Sequence, residues 1–176
     1  MILWINGTYG VGKTSVANRI AERMNSYHPV VLNSDFYYLK LGQNSPHLSM
    51  SGGTTPQNNI NFLLYFKTII NNCNEGQLVI IDMAATMKES KEILIEYLSE
   101  REDFLHIVLE ADRETALLRI SRDTEEIRDR KFSINHLDRN IEFLAANYDE
   151  ALRINTNGKS VDCVADEIIR RCFKEE

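Results

Sequence analysis

Apolar positions along this chain change their spacing repeatedly. "ILWIN", from Ile2 to Asn6, is a short, almost unbroken apolar run, the pattern of a strand buried on both faces. From about Lys13 the spacing turns helical, with Val16, Ala17, Ile20, Ala21 and Met24 on one stripe. "HPVVLNSD" predicts a second strand, its start marked by Pro29. The stretch from Gly42 to Asn59 is rich in Gly, Ser, Asn, Thr and Pro, with "SGGTTP" at its centre, and reads as a loop. A helix follows through Ile60, Leu63, Leu64, Ile69, Ile70 and Cys73 and ends before "NEGQ". "LVIID" predicts a third strand, and a helix from about Lys88 to Arg101 leads to a fourth, "LHIVLEA". Asp112 is placed to cap a helix carrying Ala116, Leu117 and Ile120. Ser133 is placed to cap another, with Leu137, Ile141, Leu144 and Tyr148 on one face. "ALRIN" reads as a fifth strand, and the last helix is patterned at Val161, Val164, Ala165, Ile168, Ile169 and Cys172.

Strands alternating with helices predict an α/β fold: a mostly parallel five-stranded sheet with helices on both faces, a three-layer sandwich. No repeat or second domain is visible, so residues 1–176 are expected to form one domain. Ligands of such sheets bind beyond the carboxyl ends of the strands. That directs attention to residues 6–14, 33–38, 82–88 and 110–113.

Composition adds little except by exclusion. With 176 residues, 43% hydrophobic and 26% charged, the chain can bury a sizeable core. A net charge of -6 disfavours a broad nucleic-acid surface, so no nucleic-acid partner is expected. The opening "MILWI" is too short for a signal peptide or a membrane span, which predicts a cytoplasmic protein without a membrane partner. Cys73, Cys163 and Cys172 have no CxxC spacing, which predicts free, mostly buried thiols rather than a zinc site or a disulfide framework. His28, His47, His106 and His136 show no metal-ligand spacing and are expected at surface or structural positions.

Residues 7–15 carry the chemistry. Gly7-Thr8-Tyr9-Gly10-Val11-Gly12-Lys13-Thr14 satisfies G-x-x-x-x-G-K-[ST] in full, behind a strand and at the mouth of a helix. Glycines let successive backbone N–H groups turn inward on phosphates, and the helix start adds its positive end. Lys13 can reach the outer phosphates and Thr14 can ligate Mg²⁺, with Ser15 next in the cradle. The alternative is a glycine-rich turn with a surface lysine. ATP and Mg²⁺ are the expected ligands.

"WINGTYGVGKTSVA" followed by "LNSDFYY" resembles the P-loop kinases of nucleosides, nucleotides and other small molecules. The opening segment is especially similar to proteins of the tunicamycin-resistance type. The resemblance implies a P-loop NTPase fold of the nucleotide-kinase kind, and its order of elements holds over nearly the whole chain. It implies that Asp35 orients an acceptor hydroxyl and takes its proton; an ordinary helix cap is the other reading of that residue. Several relatives carry D-x-D here, whereas this chain has Asn33 in the first place. Phe36, Tyr37 and Tyr38 could wall an acceptor pocket or pack in the core. Asp82 ends "LVIID", the usual partner of a phosphate loop, and is expected beside Mg²⁺; a strand-end cap is its alternative.

Further correspondences bear on donor and acceptor. Arg119, Arg122, Arg128 and Arg130 fall where the family places a lid over the nucleotide, here about residues 119–131. Arg119 would bind the nucleotide, with Arg122 and Arg128 acting on the transferring group. An alternating charge run such as this is also what a solvated helix shows. "NTNGKS", residues 155–160, lies where relatives cradle adenine, and reads equally as a turn. After Asp82 the chain continues "MAATMK", without the proline-arginine pair that helps nucleoside monophosphate kinases hold an acceptor phosphate. The acceptor, bound by a segment at about 36–66, is therefore expected to be a neutral small molecule: a nucleoside, a sugar or an antibiotic.

Three functions follow from these features. An ATP-dependent phosphotransferase, as monomer or homodimer, uses the phosphate loop, Asp35, Asp82 and the arginines together. A nucleotide-hydrolysing switch would be expected to carry N-K-x-D, which is missing. A non-catalytic ATP-binding module would need neither Asp35 nor a lid.

Overall fold

The computed structural model describes residues 1–44, 56–123 and 130–173. Five strands form one sheet: β1 (Ile2–Gly7), β2 (Val30–Asn33), β3 (Val79–Asp82), β4 (Phe104–Glu110) and β5 (Leu152–Asn155). Their order is β2-β3-β1-β4-β5, and every pairing is parallel. The helices are α1 (Lys13–Arg23), α2 (Ser34–Asn44), α3 (Pro56–Asn71), α4 (88–99), α5 (Arg113–Arg122), α6 (Arg130–Asn147) and α7 (Val161–Cys172). In α4 the middle, Lys91–Ile95, is wound as a π-helix.

Alternation along β1 explains the three layers. Ile2 and Trp4 point to one face, where they meet Leu41 of α2, Phe62, Leu63 and Phe66 of α3, Leu94 of α4 and Leu144 of α6. Leu3 and Ile5 point to the other, against Val16, Ala17 and Ile20 of α1 and Val164, Ala165 and Ile168 of α7. All five residues Ile2 to Asn6 are buried, as a strand covered on both sides requires. Ion pairs tie the second layer together: Arg19 and Arg23 of α1 reach Asp162 of α7, and Arg23 also pairs with Asp166.

Several boundaries differ from the pattern-based expectations. The helix Ser34–Asn44 has no sharp apolar stripe, and it carries Gly42 into what read as loop. It forms because Tyr37 and Tyr38 pack on Phe66 and Phe62, with ring centroids 5.8 and 5.3 Å apart. The next helix begins at Pro56, a favoured first helical residue, rather than at Ile60. The centre of the Gly42–Asn59 loop lies outside the described residues. Ser133 is not a cap: α6 begins at Arg130, and Ser133 is buried on its inner stripe with Leu137, Asn140 and Leu144. Asp112 does cap its helix, accepting from Thr115 N at 2.9 Å. The cysteines are free, but none is fully buried and Cys163 is exposed.

One histidine is structural. His106 of β4 sits against the Tyr148 ring, centroids 4.8 Å apart, and its Nε2 lies 3.1 Å from Asn6 Nδ2. Asn6 Oδ1 already accepts from Gly7 N and Ala85 N, at 2.8 and 2.9 Å. Its Nδ2 is therefore the donor, His106 Nε2 the acceptor, and the ring proton belongs on Nδ1. Burial, aided by the Arg153 charge, lowers the His106 pKa to about 4. The unfolded chain then binds this proton below about pH 6.5 and the folded chain only near pH 4. Stability from neutral His106 is complete above pH 6.5 and is lost as pH falls toward 4, by up to roughly 3 kcal/mol. Urea midpoints measured across pH 7 to 4 should fall, and His106→Gln should flatten that limb.

Candidate active site

The sheet order reverses at β1, which is flanked by β3 and β4, and the phosphate loop leaves from its carboxyl end. Gly7, Gly10 and Gly12 all take positive φ in the loop. Gly10 has φ +74°, and a Cβ there would lie 2.5 Å from the backbone oxygen of Ala116, so only glycine lets α5 seat on the loop. Gly12, at φ +93°, is the residue before α1 and gives that helix no side-chain cap. The start of α1 carries the positive end of the helix dipole, and no side chain at the cap position stands in front of it. Val11 is buried in the core, and Lys13 Nζ donates to Thr8 O at 2.9 Å, folding the lysine over its own loop.

A cleft of about 1120 Å³ opens above the loop. Tyr9, Gly10, Val11, Gly12, Lys13, Thr14 and Ser15 line it, whereas Gly7 and Thr8 do not. Asp35, in the first turn of α2, and Asp82, at the end of β3 and 3% exposed, face the same cleft. Asn33 joins them. Its Nδ2 donates to Asp82 Oδ2 at 2.7 Å, and its Oδ1 accepts from Phe36 N at 3.0 Å. Asn33 is therefore the cap of α2, and the cap reading of Asp35 falls away. A second acid at 33 would repel Asp82; the amide instead holds one of its oxygens.

The arginines divide. Arg119 lines the cleft with its guanidinium held by Thr156 Oγ1 and Thr156 O, at 2.9 and 2.8 Å, and by Gly10 O at 3.3 Å. It braces the phosphate loop against the 155–160 turn, where Thr156, Lys159 and Ser160 also line the cleft. Arg122 is exposed on the last turn of α5 and reaches the cleft, as do His136 and Arg139 of α6. Arg128 lies outside the described residues. Arg130 is exposed and donates to Asp123 O.

The cleft is thus polarised. Lining cations come from the phosphate loop, α5, α6 and the turn before α7. The described lining residues of α2, α3 and the segment after β3, among them Tyr38, Leu39, Phe62, Leu63, Met83 and Met87, include no Lys, Arg or His. No group of three or more His, Cys, Asp or Glu among the described residues could hold a metal. Thr14 and Asp82, facing one cleft above the cradle, fit a magnesium ion whose remaining ligands are phosphate oxygens and water.

Sequence reasoning missed Asn6 and Asn140. Asn6 is fully buried and clamps the start of the loop to Ala85, beyond Asp82. Its only signal was a polar residue closing an apolar run. Asn140, 1% exposed, was hidden because the stripe was drawn through Ile141.

A family model described as an AAA domain matches residues 2–144, from the first strand into α6. The chain belongs to this AAA-domain family. Its fold is that of the P-loop kinases. The tunicamycin resistance protein of Deinococcus radiodurans is similar over 99% of this chain and 96% of its own, at 21% identity and a TM-score of 0.69. Shikimate kinase from Acinetobacter baumannii is similar over 97% and 91%, at 18% identity and a TM-score of 0.68. A sugar kinase from Janibacter follows over 96% and 92%, at 14% identity and a TM-score of 0.67. No curated protein matches the sequence. No described helix of this AAA-domain protein is long and apolar enough to cross a membrane.

Proposed function

We propose that the protein is an ATP-dependent phosphotransferase that moves the γ-phosphoryl group to a hydroxyl of an uncharged small molecule. The observation that carries this reading is the polarised cleft: a cationic half built on the phosphate loop and an apolar half beside Asp35. A module that only stores nucleotide has no use for the second half.

In this reading the chain acts as one P-loop kinase-like domain. The backbone of Gly10 to Ser15 and the start of α1 bind the phosphates, and Lys13 leaves Thr8 O to meet the outer oxygens. Thr14 and Asp82 would hold Mg²⁺, which would supply positive charge to neutralise the nucleotide's phosphates. Asp35 takes the acceptor hydroxyl's proton and aims its oxygen in line with the γ-phosphorus. The bond from that phosphorus to the bridging oxygen breaks as the new one forms, leaving ADP. Arg122, and Arg128 of the segment at about 119–131, offset charge on the transferring group. The acceptor is received by residues within about 36–66. Nothing in this reading calls for a membrane or nucleic-acid partner, and a cytoplasmic setting would supply the ATP.

The test is acceptor-dependent ADP release from ATP and Mg²⁺, with nucleosides, sugars and hydroxylated antibiotics as the panel. Stimulation by at least one neutral alcohol is expected. ADP release that no acceptor stimulates would return the protein to the storage modules, and tighter binding of GTP than ATP would indicate a switch.

A further inference from the structure

We infer that Asn140 reads the acceptor, through its buried amide, by accepting a hydrogen bond from a ring N–H of a flat, uncharged ligand. This rests on the phosphotransferase reading above and adds a class to it: nucleoside-like alcohols rather than open polyols or sugars.

Asn140 stands where α6 should be apolar. The inner stripe runs Ser133, Leu137, Asn140, Leu144, and the two leucines are in the core. The Asn140 side chain is 1% exposed, lines the cleft, and its Oδ1 has no hydrogen-bond partner among the described residues. An amide oxygen removed from water without a partner destabilises the ligand-free protein, and a ligand donor would recover that cost.

Its place along the helix says which half it serves. Near one end of α6, Phe132 meets the Tyr9 ring of the phosphate loop edge-on, centroids 6.4 Å apart. At the other, Tyr148 donates to Ala85 O at 2.8 Å, in the segment after Asp82. Asn140 lies between these two contacts along the helix and lines the cleft. The apolar half is lined by the Tyr38 and Phe62 rings, packed edge to face 5.3 Å apart, and by Met83 and Met87. Walls of rings and thioethers favour a planar body, and the absence of lining cations there favours an uncharged one. A lone carbonyl acceptor needs a donor, and on the edge of an uncharged planar ring that donor is an N–H.

The test uses the whole chain with a non-hydrolysable ATP analogue and Mg²⁺, so that binding is read without turnover. The probes are thymidine, inosine, their N3- and N1-methyl derivatives, and glucose. At least one parent nucleoside should bind, its N-methyl form about ten- to a hundredfold more weakly, and glucose more weakly still. Asn140→Leu, of similar volume, should raise the melting temperature of the ligand-free protein and leave affinity for the ATP analogue unchanged. It should bind the parent nucleoside as weakly as the methylated one. Equal binding of parent and methylated probes to the wild type overturns the proposal without any variant. So does nucleoside binding no tighter than glucose, or a lowered melting temperature in Asn140→Leu, which would make the amide structural. A nucleoside that binds as expected yet never stimulates ADP release sinks the phosphotransferase reading and spares Asn140. ADP release with an acceptor whose KM is unmoved by Asn140→Leu does the reverse.

Discussion

Lys13→Ala is expected to abolish phosphoryl transfer while leaving the fold almost untouched. In the ligand-free protein the lysine donates to Thr8 O, and such a bond is worth about 1 kcal/mol net. The melting temperature should therefore fall by only a few degrees. The chemical loss is of another size. In the phosphotransferase reading the ammonium stands where negative charge would build as the γ-phosphoryl group departs, and removing one preorganised donor of this kind costs roughly 10²–10³ in turnover. ATP affinity should weaken as well, because the same group meets the ground-state phosphates. Turnover within tenfold of wild type, measured with the best acceptor found, would remove Lys13 from the chemistry.

Asp35→Asn should separate the two halves of the cleft. Asp35 is exposed and is not the cap of its helix, and asparagine matches it in shape, so α2 should form in the variant with a weaker interaction with the helix dipole. Nucleotide affinity should be unchanged. Turnover should drop by about 10²–10⁴-fold, the usual worth of a positioned general base. The acceptor's KM should move much less than kcat, since an amide still hydrogen-bonds a hydroxyl. An unaltered kcat would assign Asp35 to the wall of the cleft and nothing more.

The sheet, the phosphate loop and the layering were legible because each depends on short-range pattern. A continuous apolar run, a glycine spacing or a helical stripe is written in neighbouring residues. The misses share the opposite property. The helix Ser34–Asn44 is held by tyrosines packing on a phenylalanine pair of the next helix, a contact that no local stripe announces. Ser133 has the chemistry of a cap, but α6 starts three residues earlier and buries it. Arg119 was read for charge, and its place is decided by two oxygens of Thr156, distant in sequence and adjacent only because β4 and β5 pair. Asn6 and Asn140 are legible only once burial is known, for the meaning of each lies in what surrounds it. Asp35 and Asp82 were found from the strand ends, which fold class alone locates.

Asn33 has a bearing on protein engineering. One amide both starts α2 and grips Asp82, so the segment that would choose the acceptor takes its first turn from the host strand. A graft of residues 34–71 from another kinase would arrive without its own cap and borrow this one. Were residue 33 carried over as well, from a kinase with aspartate there, the chimera would set two carboxylates side by side where this protein has a neutral bridge. The segment is therefore best exchanged with Asn33 left in place, since the cap and the grip on Asp82 both belong to the strand that precedes it.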